Sequence, residues 1–171
     1  MIKYCELEIV FREFPDEVTL AINISNCPHR CKGCHSPHLQ KDIGGTLTPE
    51  VLEKLIEPFK DKVTCIGFMG GDADIEGLYE LAKTVKSKFP SLRTGWYSGN
   101  GTLAESYLLD VFDYVKIGPY IEKLGPLDNP NTNQRLYKKV DGPHGEEWQW
   151  IPMFKDTLNL PNGPFMLEHI L

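Results

Sequence analysis

Residues 63–69, VTCIGFM, are apolar almost without a break. A strand with no polar face must be covered on both sides. The segments flanking it are built to cover it. Before it, in GGTLTPEVLEKLIEPF, Val51, Leu52, Leu55, Ile56 and Phe59 share one helical face. Thr48 is placed there as an N-cap and Pro49 as the first helical residue. After it, Ile75, Leu78, Tyr79, Ala82 and Val85 recur at helical spacing, and Pro90 stops the run. Acids (Asp74, Glu76, Glu80) come early in that segment and lysines (Lys83, Lys86, Lys88) late, as the helix dipole favours.

The same alternation extends along the chain. Tyr4–Phe14 and Val18–Ile24 read as strands around the turn FPDE, and RTGWY (93–97) and DYVKIG (113–118) as two more. A helix is expected over Leu103–Phe112. Trp148 and Trp150 alternate along EEWQWIPMF, so both rings fall on one face of a strand, as core or edge packing. Strand, loop and helix repeated at least three times predict an α/β fold with a parallel sheet, open or closed into an incomplete (β/α) barrel. Without a repeat, linker or low-complexity tract, residues 1–171 read as a single domain. Ligands in such folds sit at the carboxyl ends of strands. Those ends carry NCPHRCKGCHSP, GGDAD, YSGNG and GPY, all on one rim.

The first of these loops holds Cys27, Cys31 and Cys34 at Cys-x3-Cys-x2-Cys spacing. Five cysteines cannot pair completely within one chain, and Cys5 and Cys65 read as packed strand residues. Thiolates at loop spacing suit zinc or an iron–sulfur cluster. Zinc wants a fourth ligand, for which His29, His35 or His38 are at hand. The substring CKGCH also matches a c-type haem attachment signal, but such haems are installed outside the cytosol. Three thiolates on a four-iron cluster leave one iron open, the sharper alternative to a closed zinc site.

Composition narrows the partners. A formal charge of −6 disfavours a general nucleic-acid binder, and no stretch reaches the length of a membrane span. Lys3, Glu6, Glu8 and Arg12 interrupt the first apolar segment, so it is not a secretory signal, and a cytoplasmic location is expected.

The segments AINISNCPHRCKGCHSP, CIGFMGGDA, GWYSG and DYVKIGPY, followed by GPLDNPNTNQRLYK, resemble the radical S-adenosylmethionine (SAM) superfamily. Within it they are most similar to the activating proteins of anaerobic ribonucleotide reductase. The likeness is strongest over residues 17–140, leaving 141–171 as a C-terminal extension. It departs from that family at His35-Ser36 after the last cysteine, at Ala73, and in a last strand offering Lys116, Gly118 and Pro119 without an acid.

The resemblance implies a radical SAM barrel in which Cys27, Cys31 and Cys34 ligate a 4Fe–4S cluster whose open iron binds SAM. It implies that Gly70 and Gly71 let backbone approach SAM and that Asp72 accepts from its amino group. The plain reading of GGDAD is a strand-to-helix turn capped by Asp72 or Asp74. Ser98, Gly99 and Asn100 are implied as further SAM contacts, Lys116 as a partner for its carboxylate, and His35 as a neighbour of the cluster. Reductive cleavage of SAM would then generate a glycyl radical on the large subunit of an anaerobic (class III) ribonucleotide reductase, with reduced flavodoxin or a similar protein as electron donor. Two rivals stand beside it: a radical SAM enzyme with another target, and a zinc-binding interaction module.

Overall fold

The computed structural model describes residues 1–153. One eight-stranded mixed sheet organises them, in the order β3-β1-β2-β4-β5-β6-β7-β8. Its centre is parallel: β2 (Thr19–Ile24), β4 (Cys65–Met69), β5 (Arg93–Tyr97) and β6 (Tyr114–Ile117) lie side by side in chain order. Helices α1 (Pro49–Ile56), α2 (Ile75–Lys88) and the short α3 (Ser106–Leu109) occupy the connections. Strand, helix and strand therefore recur three times, as the sequence predicts.

Antiparallel strands were not part of that expectation, and they extend both edges. β1 (Lys3–Val10) pairs with β2 and with the two-residue β3 (Gly45–Thr46). On the far side the hairpin β7 (Arg135–Gly142) and β8 (Gly145–Ile151) continues from β6. The turn FPDE between two strands is a local signal for the β1–β2 pair, whereas nothing in a single strand's alternation specifies the pairing of β3 with β1 or of β7 with β6.

The helices begin where their caps say. Thr48 accepts from the Val51 amide and Pro49 opens α1. Asp74, not Asp72, caps α2 by accepting from the Gly77 amide at 3.0 Å. The expected helix over 103–112 is regular only over Ser106–Leu109.

The main core lies between the helices and the sheet, where Leu52, Ile56, Leu78 and Val85 meet Ile22, Ile66, Phe68 and Trp96. Phe112 stacks on Trp96 with ring centroids 5.5 Å apart. Trp148 packs at the margin of this core, under the Lys139 ammonium.

On the opposite face a smaller cluster forms around Phe14, Cys65, Tyr114 and Leu136. The first strand ends at Val10, four residues sooner than its alternation suggests. The chain then bends, and Phe14 drops fully buried onto the sheet. Gly67 and Gly95, paired in register on β4 and β5, leave the space its ring fills. Cys65 is buried and Cys5 half-buried, so both behave as packed strand residues. Of the extension 141–171, residues 154–171 lie outside the described residues.

Candidate iron–sulfur site

The loop after β2 is closed at its base by two backbone bonds. The Asn26 amide donates to Lys41 O at 2.9 Å and the Cys27 amide to Leu39 O at 3.0 Å. Inside it, the Cys34 amide donates to Cys31 O and the Gln40 side chain also reaches Cys31 O. Asn26 (φ 61°), Arg30 (φ 48°) and Gly33 (φ 74°) adopt left-handed backbone, and each directly precedes a cysteine. Only glycine takes that conformation without cost. The repeated reversal turns Cys27, Cys31 and Cys34 toward a common space, where all three line one cavity of about 920 Å³.

The far walls come from the other strand ends. Met69 ends β4, and Gly70 and Asp72 follow it; Tyr97 ends β5, and Ser98 and Gly99 follow it; Lys116, Gly118 and Pro119 close β6; Gln134 stands before β7. Of the residues expected here, His35 also lines the cavity, whereas Gly71 and Asn100 do not. Gly71 (φ 105°) faces α2, where an added Cβ would meet Leu78 at 3.0 Å. Gly70 (φ 115°) is pinned by the Trp96 indole, which donates to its carbonyl at 3.1 Å.

Asp72 is the most heavily engaged side chain on the rim. Its Oδ1 accepts from Ser98 Oγ at 2.5 Å and Asn100 Nδ2 at 3.2 Å. Its Oδ2 accepts from the Gly99 amide at 2.8 Å and meets His29 Nε2 at 3.0 Å. The polar chain continues around the rim. The Gly118 amide donates to Asn100 O at 2.6 Å, and Gly118 O accepts from Lys116 Nζ at 2.6 Å and from Gln134 Nε2 at 3.3 Å.

Lys116 is a buried cation, and burial pushes its ammonium pKa down to about 8. Asp72 and the three cysteines oppose that shift, so negative charge on the thiols favours the protonated amine. Burial likewise raises the Cys27 thiol, while the backbone amides of His29 and Arg30, directed at its sulfur, pull it back.

Met69, Tyr97, Gln134 and the loop residue Leu127 are further wall residues that their sequence surroundings do not single out. Gln134 lies in the TNQR stretch that contributed to the resemblance, which was the available signal. His29, a candidate zinc ligand by sequence, has its ring turned to Asp72.

Among the described residues, no three His, Cys, Asp or Glu side chains converge closely enough to hold a single metal ion. A four-iron cluster asks for something looser, because each thiolate binds a different iron. Three soft donors opening onto a roomy cavity, with a buried cation on the facing wall, suit an anionic thiolate cluster that keeps one corner free. No helix among the described residues is long and apolar enough to cross a membrane.

The chain is 29% identical over 113 residues to the anaerobic ribonucleoside-triphosphate reductase-activating protein of Vibrio cholerae, covering 58% of this chain and 72% of that protein. No solved structure matches the chain. A family model described as a 4Fe–4S single cluster domain matches residues 18–137, from the start of β2 through the cavity wall to β7. With well over half its length matched, the chain belongs to the 4Fe–4S single cluster domain family.

Proposed function

We propose that this protein is a radical SAM activase that generates a glycyl radical on an anaerobic ribonucleotide reductase. One observation carries the reading: three cysteines at Cys-x3-Cys-x2-Cys spacing open together onto a cavity large enough for a cluster and a cofactor-sized ligand. The likeness to the Vibrio cholerae activating protein supplies the partner class. Parallel strands adjacent in chain order, with helices in their connections, support reading the sheet as an incomplete (β/α) barrel.

Cys27, Cys31 and Cys34 would hold the cluster through three of its irons. When bound and reduced, it supplies the electron that cleaves SAM to methionine and a 5′-deoxyadenosyl radical, the species that takes hydrogen from a glycine Cα. Lys116 places a cation on the wall facing the thiolates, suited to the SAM carboxylate. Met69, Leu127 and Tyr97 give the cavity apolar surface that excludes water beside a reactive radical. His35, which also lines the cavity, would be a neighbour of the cluster. Reduced flavodoxin, or a donor like it, is the proposed electron source.

The test is 5′-deoxyadenosine formation by anaerobically reconstituted protein given dithionite and SAM, beside a Cys31→Ala variant. Product from the wild type alone supports radical SAM chemistry, and a glycyl radical signal on added reductase identifies the partner. Wild-type protein that retains its cluster yet makes no product, with or without the reductase, overturns the proposal.

A further inference from the structure

The loop that carries the cysteines touches the opposite rim through His29. Its ring nitrogen meets Asp72 Oδ2 at 3.0 Å, and the Asp72 side chain is 3 % exposed. The ring also lies on Gly99, where an added Cβ would come within 2.3 Å of His29 Cδ2. Gly99 does not need glycine for a left-handed backbone, since its φ lies outside that region. It needs glycine to admit the imidazole.

We propose that His29 is a positioning residue, a latch seated on Gly99 and bonded to Asp72, that holds the Cys27–Cys31 turn in the shape that presents both thiols to the cavity. Three observations support it. A carboxylate has about four acceptor positions, and on Asp72 they are filled by His29, the Gly99 amide, Ser98 and Asn100. Asp72, Ser98, Gly99 and Asn100 thus form a socket for His29. Arg30, the next residue, is held in left-handed backbone, a state that persists only when its surroundings enforce it. Finally, the amides of His29 and Arg30 point at the Cys27 sulfur, so displacing His29 would withdraw hydrogen bonds from that ligand. Such bonds tune the potential of an iron–sulfur cluster.

The inference rests on the three cysteines holding the cluster, so its test separates the two ideas. Hydrogen exchange of the 26–34 backbone would be compared in apoprotein of wild type, His29→Ala and His29→Gln. About tenfold faster exchange in His29→Ala is expected, the size set by losing one hydrogen bond to a charged acceptor. His29→Gln, whose amide can still donate to Asp72, should recover much of the protection. Gly99→Ala should also speed exchange, yet add little in a His29→Ala background, because the two changes empty the same socket. In reconstituted protein, iron loss to a ferrous chelator should be about tenfold faster in His29→Ala, and the cluster midpoint potential more negative. Equal exchange in wild-type and His29→Ala apoprotein overturns the latch, whatever the cluster does. If Cys27, Cys31 and Cys34 prove unnecessary for cluster loading, the proposed function fails while the exchange experiment still decides the latch.

Discussion

Phe14 lies so close to Gly95 that a methyl group on the glycine would come within 2.3 Å of the ring carbon Cζ. The same ring sits edge-on to Tyr97, with centroids 5.3 Å apart, and tilted against Tyr114 at 5.2 Å. It plugs the face of the sheet beneath the cavity. Gly95→Ala should therefore destabilise the fold by about 1–3 kcal/mol through overpacking, and Phe14→Ala by about 3–5 kcal/mol through the void left behind. In a Phe14→Leu background the Gly95→Ala cost should shrink. Urea midpoints of the singles and the double check this, and an unchanged Gly95→Ala cost would sink it.

Asp113 ties the other end of the sheet. Its Oδ2 pairs with Lys86 on α2 and accepts from the Thr94 amide at 2.7 Å. Replacing it with alanine leaves a part-buried amide and an ammonium without their acceptor, for a loss of about 2–3 kcal/mol. Lys86→Met should cost less, because it keeps the Thr94 bond. Thermal melts of the two variants give the ranking.

Arg30 offers the opposite sign. At φ 48° a non-glycine side chain carries a conformational cost of about 1–2 kcal/mol. Arg30→Gly removes that cost but loosens the unfolded chain, leaving a net gain of about 0.5–1 kcal/mol. Denaturant unfolding of the apoprotein measures it, and a net loss would show that the turn is not strained.

Lys116 predicts a pH dependence. Its folded pKa of about 8 lies below the ordinary 10.5, so between those values the unfolded chain binds the proton more tightly. Stability from this group therefore rises with pH through that window, and the penalty for burying the ammonium is fully present below pH 8. Relative to Lys116→Met, the wild-type apoprotein should gain roughly 2 kcal/mol between pH 7 and pH 10. Parallel urea titrations at both values test it; a flat difference would mean the amine keeps its proton.

Much of the scaffold was legible because it is written locally. Thr48-Pro49 announces α1, and the spacing of Leu78, Ala82 and Val85 fixes the buried side of α2. The cysteines were legible for the same reason, being close in sequence. Phe14 was not: its place in an alternating run looks like strand, and only the glycines of distant β4 and β5 reveal a plug. Those glycines stood in plain view in CIGFM and RTGWY, but their pairing is a matter of register. His29 escaped for a similar reason, since its partner Asp72 is 43 residues away. Adjacency in the chain suggested a metal ligand; packing across the rim gave it a different neighbour. The docking of β7 on β6 also depends on a pairing that no single segment encodes.

From β2 to β7 the sheet adds strands in the order the chain is made, so synthesis itself walks around the rim. A growing chain exposes its three cysteines long before it has Lys116 or Gln134, and Met153, which also lines the cavity, comes only after the β7–β8 hairpin. A cluster seated at the cysteine stage would face open water on the side where the finished protein has a wall. Enclosure of the cavity is thus a late event in the life of each molecule, completed only after the three cysteines are in place.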